Sequence, residues 1–394
     1  MRPALIATPG GKPPADRPDA AAVLRAILRG GPLARTAIIR ETGLSAAVVS
    51  RHAAELLAMG LVWEPPEPHR PPRPGRPRIP LDIETAHHVA AGVHIGVPRL
   101  TFSLTDLRGD VIAYEHVPRQ PQHGAVLQDV AARLPGFLRR HLGNRRSVLG
   151  LGVATGGWVD PDAGVLVENS ALGWRDIPLR RSLQRSVGLP VHVEGHARAL
   201  AQAELLFGAN RGGDLVHLFV GNAVDAAIAT GGVLLQGRRY GAGGIAHLPV
   251  PGSAEPCPCG RTGCLQATVS DRAVARRAVA EGVIPHPDLR LLVRAARAGD
   301  DRALDLCRTR LRLIAHAVRP LLDLIRPDDL VLTESATLRL PRLLDELTRE
   351  LASGGDQVRT GSFGAATLAV AATAPVLAAV YQDPLGLRTS GGAR

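Results

Sequence analysis

Eight of the 17 residues from Glu64 to Pro80 are proline and four more are arginine. Neither a helix nor a central strand continues through such a run, because each proline fixes φ and lacks a backbone N–H. The chain is therefore cut into a short N-terminal unit and a long body, and the run itself is a wing, a linker or both. Ahead of it, glycines punctuate three apolar patterns. Ala21, Val23, Leu24, Ile27 and Leu28 recur at helical spacing until Gly30-Gly31. Arg35 to Thr42 predicts a second short helix with Ile38 and Ile39 turned inward and Gly43 as its C-cap. Ser45 caps a third helix to about Met59, with Val48/Val49, Ala53, Leu56 and Leu57 inward. Gly60 stops it, and Leu61-Val62-Trp63 reads as a strand.

That order predicts a winged helix-turn-helix over residues 20–80. Ser45 opens the third helix, and Ala46, Ala47, Ser50 and Arg51 point away from its apolar stripe, so its first turn suits the major groove. His69, Arg70, Arg73, Arg76 and Arg78 line the following loop, whose Gly75-Arg76-Pro77-Arg78 is extended and cationic enough for a narrow minor groove. The bland alternative is a three-helix protein-interaction module with a solvated basic linker. Net charge supports a polyanionic partner: 47 basic against 36 acidic residues leave +11, and Lys12 is the only lysine. GC-rich codon usage also enriches arginine, so the positions of these residues carry more weight than their number. Aromatics, at 3%, are too few for a single-strand binder that stacks bases.

From about Leu81 strands and helices alternate, which predicts an α/β body. Strands are expected at 89–93, 100–104, 111–116, 149–155, 191–194, 216–220 and 330–332. Helices are expected at 126–142, kinked or broken at Pro135-Gly136, and at 179–186 and 197–207. A repeated strand–turn–strand unit at Gly92 and near Gly221 is faint. Gly364 to Val380 is nearly free of polar groups but short for a bilayer and interrupted by Pro375, so a buried helix is expected. Residues 1–19 read as a disordered leader without an apolar signal region, and the protein as cytoplasmic with no membrane partner.

Four cysteines do not make a disulfide framework. Cys307 stands alone in a helical stretch, while Cys257-Pro-Cys259-Gly-Arg-Thr-Gly-Cys264 gathers three thiols on a tight loop. His247, ten residues upstream, is the nearest fourth ligand for a closed tetrahedral zinc site, structural because no coordination position stays open. Reduced, unliganded thiols are the alternative.

Gly241-Ala-Gly-Gly-Ile-Ala-His247 followed by Cys257 to Leu265 resembles the glycine-rich, zinc-liganding signature of the ROK family (repressors, open reading frames and sugar kinases). Gly150 to Gly157, Leu172-Gly-Trp174, Gly188 to Val191 and the wing Gly75-Arg-Pro77 add to the likeness, which covers about residues 20–385 and points to the family's winged-helix repressor branch. The resemblance implies a two-lobed, actin- and sugar-kinase-like (ribonuclease H-like) body over 81–394. Lobe 1 would span about 81–197 plus the C-terminal helix, and lobe 2 about 198–365 with the zinc loop. It also implies a homodimer or homotetramer and a sugar effector in the cleft.

The departures fall on the family's functional positions. Its first phosphate loop, Asp-x-Gly-Gly-Thr-Lys, is His94-Ile-Gly96-Val97-Pro98-Arg99 here, and its second, Gly-Thr-Gly-x-Gly, is Gly221 to Asp225. Thr333-Glu334-Ser335 replaces the paired glycines that accommodate adenosine. In the sugar motif Glu-Asn-Asp-Ala-Asn, Gly195, His196 and Arg198 replace Asn, Asp and Asn, Gly244 replaces the Glu before the zinc His247, and Gln266 replaces the Glu after Gly-Cys-Leu. Each lost hydroxyl partner costs roughly 1–3 kcal/mol, so ordinary hexose affinity should go. These residues form a degenerate effector cleft in which His196, Arg198, Arg175 and Arg99 would suit an anion if they converge. The expected function is a ROK-type DNA-binding transcriptional regulator, a repressor of double-stranded operator DNA without enzymatic activity and with an altered or absent small-molecule effector. A ligand-independent DNA-binding protein whose body only oligomerises is the alternative, and a sugar kinase a remote one.

Overall fold

The computed structural model describes residues 5–7, 9, 17–66, 79–209, 213–351 and 357–389. Its N-terminal unit is three helices, Arg17–Gly30, Arg35–Thr42 and Ala46–Met59, closed by strand Val62–Trp63 antiparallel to Asp82–Ile83. Gly43 and Gly60, both with φ 69°, end the second and third helices in the left-handed conformation glycine adopts without strain. Val23, Leu24, Ile27, Ile38, Val49, Ala53 and Leu56 form its core. This is a winged helix-turn-helix head. The loop with His69, Arg70, Arg73, Arg76 and Arg78 lies outside the described residues.

Two five-stranded sheets built on one plan make the body. In lobe 1, His88–Ile95, Arg99–Asp106 and Val111–Pro118 form an antiparallel meander, and Ser147–Thr155 then Val191–Gly195 add in parallel on the other side. In lobe 2, Leu215–Val220, Val224–Thr230 and Val233–Leu234 form the meander, and Asp329–Glu334 then Gln357–Thr360 add in parallel. Identical strand order in both sheets makes the faint internal repeat of the sequence plain. Helices His123–His141 and Leu179–Val187 cover lobe 1, and Asp271–Ala280, Leu289–Arg297, Asp301–Ile325 and Pro341–Leu351 share the core of lobe 2. The apolar C-terminal stretch is helix Thr367–Gln382, a core helix laid on the lobe 1 sheet. It approaches so closely that a Cβ at Gly152 would sit 2.1 Å from the Ala372 carbonyl oxygen.

Two expectations change. The leader is not unstructured at residues 5–7: Leu5–Ile6 pairs with Arg388–Thr389, and the Ala7 N–H donates to the Leu149 carbonyl at 2.8 Å. Leu5 and Ala7 are buried against the sheet edge, a contact that two apolar residues are too short to announce. Most of residues 8–16 lie outside the described set, and the first helix starts at Arg17. Pro135 does not break its helix, which runs unbroken over His123–His141. Pro135 itself is exposed to solvent. Helix His196–Phe207 packs on Thr367–Gln382 and on strands of lobe 2, and Ala197, Leu200, Leu215, Ala227 and Ala371 share one core.

Candidate functional site

On the head, Ser45, Ala46, Ala47, Ser50 and Arg51 all project to solvent from the start of the third helix. The Ser45 hydroxyl accepts from the Val48 N–H at 3.3 Å, the capping geometry its sequence position predicts. Small side chains on this turn allow the helix backbone close to a duplex. Arg51 is the long cation among them, resting with Nη2 3.3 Å from Nε2 of the buried His52, whose Nδ1 meets Glu55 at 2.7 Å.

In lobe 2, Val250 and Gly263 join by a backbone hydrogen bond, and Cys257 with Arg261 by another, so the loop folds back on itself. The fold gathers one ligand atom each from His247, Cys257, Cys259 and Cys264, all within 4.8 Å of one another. Cys259 and Cys264 Sγ are 3.7 Å apart, and Cys257 Sγ lies 3.6 Å from His247 Nδ1. A tetrahedron of thiolates around zinc at about 2.3 Å has edges of roughly 3.8 Å, so the donor set fits that ion in identity, number and spacing. Arg261 draws the Cys259 thiol down to about 6, toward the thiolate a metal requires, whereas burial pushes Cys264 up to about 12.

Between the lobes lies a cavity of about 480 Å³. The strand–helix junction at Gly195 and His196 forms one wall, and the glycine-rich segment 241–244 with His247 and Gln266 forms another. All five degenerate-cleft residues, Gly195, His196, Gly244, His247 and Gln266, therefore line one space. The cations do not converge there. Arg198 is buried and spent on Glu194, at 3.1 Å, and on the Leu235 carbonyl at 2.6 Å, while Arg175 lies exposed beside Glu168. Arg99 borders a neighbouring cleft instead. The expected anion cradle is corrected on this point: two of its four cations lie elsewhere, and Arg198 is neutralised within the protein.

Sequence reading missed what faces His196. Its Nε2 lies 2.9 Å from Asp225 Oδ2 across the lobes, a close contact without hydrogen-bond alignment, and its Nδ1 is 3.4 Å from His94 Nε2. The Phe219 ring lies 3.7 Å from the imidazole. Burial, then the charges of His196 and Arg99, depresses His94 to about 3, so that it stays neutral. Also unforeseen is a strap over the cavity mouth. Arg239 and Tyr240 are consecutive non-glycine residues at φ 48° and 61°. Lobe 1 carboxylates hold them there, Arg239 by Asp160 at 2.9 Å and the Tyr240 hydroxyl by Asp162 at 2.9 Å. No local sequence pattern marks such pairs, because their partners come from the other lobe.

The neighbouring cleft, about 250 Å³, is bordered by both former phosphate loops. The Gly96 N–H donates to the Arg99 carbonyl at 3.1 Å and the Gly221 N–H to the Ala223 carbonyl at 3.0 Å, so neither is free for a phosphate oxygen. Glu334 accepts from the Ala336 and Thr337 N–H groups at 2.7 and 2.8 Å. Arg310, fully buried, holds Glu334 at 2.8 Å and Asp271 at 2.6 Å. Internal bonds thus occupy donors that a nucleotide would need.

The ROK family model matches residues 90–365, and that of the MarR family residues 16–76. Transcriptional regulator Rv0485 of Mycobacterium tuberculosis is 34% identical, with 94% of this chain and 88% of the relative covered. The DNA-binding transcriptional dual regulator NagC of Escherichia coli is 27% identical, covering 85% of this chain and 87% of NagC. A solved ROK family transcriptional regulator, homologous to the E. coli Mlc protein, superimposes with a TM-score of 0.76 at 22% identity, covering 94% of this chain and 98% of that one.

Proposed function

The chain belongs to the ROK family, and from that premise we propose that it is a DNA-binding transcriptional regulator of operator DNA, acting as a repressor. The observation that carries this reading is the head: an exposed, small-residue helix turn with Arg51 at its edge, on a fold whose relatives over nearly the full chain bear regulators' names. Ser45, Ala46, Ala47, Ser50 and Arg51 would meet base edges and flanking phosphates. Arg73, Arg76 and Arg78 of the wing would follow the minor groove.

His247, Cys257, Cys259 and Cys264 would hold a structural zinc ion, which supplies cross-linking energy to a loop poor in apolar residues. The body has no kinase activity on this reading, because the phosphate loops have turned their donors inward and His196 replaces the Asp that serves the family as general base. The cavity with Gly195, His196, Gly244, His247 and Gln266 is an effector site stripped of its sugar-binding side chains. The protein works in the cytoplasm as a homodimer or homotetramer, which sets the spacing of two heads on paired half-sites.

Genome-wide mapping of bound DNA, followed by gel-shift titration of the recovered sites, tests the reading. Discrete sites bound far tighter than random duplex support it, and indifference to duplex DNA at low salt overturns it. ATP turnover with any sugar would overturn the non-enzymatic part alone.

A further inference from the structure

Gly195 and Gly244 line the cavity although the backbone does not require glycine at either place. Neither has a positive φ, and a Cβ built there would meet nothing closer than 3.6 Å at Gly195 and 3.4 Å at Gly244. Other glycines of the same walls differ. A Cβ would fall 2.3 Å from the Glu168 carbonyl oxygen at Gly157, and 2.1 Å from that of Ala226 at Gly243. Packing therefore explains Gly157 and Gly243, but not the pair that leaves two walls bare.

The side chains around that bare space are mostly engaged. The Gln266 side chain accepts from the Val224 N–H at 3.0 Å and donates to the Ser170 hydroxyl at 2.7 Å. Asn169 donates to the Gly156 carbonyl and accepts from the Leu172 N–H, and Arg198 is held by Glu194. Tyr240, its ring under the Arg198 guanidinium 5.2 Å away, lines the space with Trp158 and the solvent-exposed Arg238. Asp225 and Glu168 each keep one carboxylate oxygen without a protein partner. Those oxygens accept from a hydroxyl and repel an anion. A volume of about 480 Å³ lies in the range of roughly 300–1,000 Å³ that houses drug-sized ligands.

We propose that Gly195 and Gly244 are specificity-determining residues which open this cavity to a neutral hydroxylated ligand carrying an aromatic ring, of aryl glycoside size, and that a bare monosaccharide or a sugar phosphate is not its ligand. The ring fills the space the two glycines leave and packs on Tyr240, while a hydroxyl donates to Asp225 or Glu168. The proposal deepens the regulator reading by giving its effector site a ligand class.

Calorimetry with phenyl β-glucoside, glucose and glucose 6-phosphate, in the absence of DNA, tests it on the full chain. Phenyl β-glucoside is expected to bind at least about tenfold tighter than glucose, and glucose 6-phosphate not at all. Gly244→Leu, which fills the space without a backbone clash, should weaken the phenyl glucoside at least about tenfold, and Tyr240→Ala about fivefold. If Gly244→Leu melts early, Gly195→Val fills the cavity from the opposite wall and should give the same loss. Glucose binding as tightly as the aryl probe, an undiminished affinity in the filled variant, or no aryl binding at millimolar concentration overturns the proposal. DNA binding by the same preparations is measured separately, so failure of the ligand class and failure of the regulator reading are told apart.

Discussion

The distinction between Arg51 and Arg76 rests on what each can touch. Arg51 stands at the exposed start of the third helix, whereas Arg76 lies in the proline-rich run whose sequence suits backbone and minor groove. Arg51→Ala should therefore cost about 1–3 kcal/mol on a cognate site and little on random duplex. Arg76→Ala should weaken both alike and reduce the slope of log affinity against log salt by about one. Titrations at two salt concentrations separate them, and equal losses for the two variants on both kinds of DNA would argue against a helix in the groove. At this scale the sequence was legible wherever partners are close along the chain. Ser45 and Val48 are three residues apart, and His247 and the three cysteines span a single loop. It was silent where they are distant: nothing near Asp225 says that it will face His196, and nothing near Arg239 says that Asp160 will hold it.

Among elements, the zinc loop and the C-terminal helix carry the clearest consequences. The loop holds Cys257 and Cys264 buried with little apolar surface to keep them so. Cys264→Ser should take the zinc-to-protein ratio from near one toward zero by atomic absorption and lower the melting temperature, while the head's helices persist by circular dichroism. Wild-type protein purified without zinc yet melting as before would remove the metal from the account. The C-terminal helix depends instead on what is missing from the sheet beneath it. Gly152→Ala drives a methyl group toward the Ala372 carbonyl and should destabilise the chain by about 1–3 kcal/mol, read as a shifted denaturation midpoint. Most regular elements were readable from periodicity, and the apolar helix Thr367–Gln382 was correctly expected to be buried. The short strands Trp158–Asp160, Val165–Asn169 and Trp174–Ile177 were not, because three to five residues at a cleft mouth show no period. Pro135, like Pro320 and the buried Pro375, sits inside a helix that runs past it, so proline alone does not mark a helix end here.

Buried histidines govern how the whole molecule answers to acid. Burial holds His94 and His217 down to about 3 and His192 to about 4, so all three stay neutral in the fold. An unfolded histidine titrates near 6.5, so below that pH the unfolded chain takes up protons that the folded one refuses, and stability falls as pH drops. Asp106, raised to about 6 by burial, acts in the opposite sense between about 4 and 6 and offsets one of the three. With zinc in excess, the melting temperature should be level above pH 7 and decline steadily below pH 6; a rise on acidification would contradict this balance. The layout that produces this global response also answers a question of ancestry and engineering. Val23, Leu24 and Ile27 of the head share one apolar interior with Val376, Leu377 and Tyr381, and Arg25 donates to the Tyr381 carbonyl at 3.1 Å. A head so grafted cannot be traded between proteins by cutting at the proline run, since a severed body would bare an oily flank and a severed head would lose half its floor. Nor does it hang on a free tether, so a message from the cavity would reach DNA as a movement of the head together with the C-terminal helix it packs on.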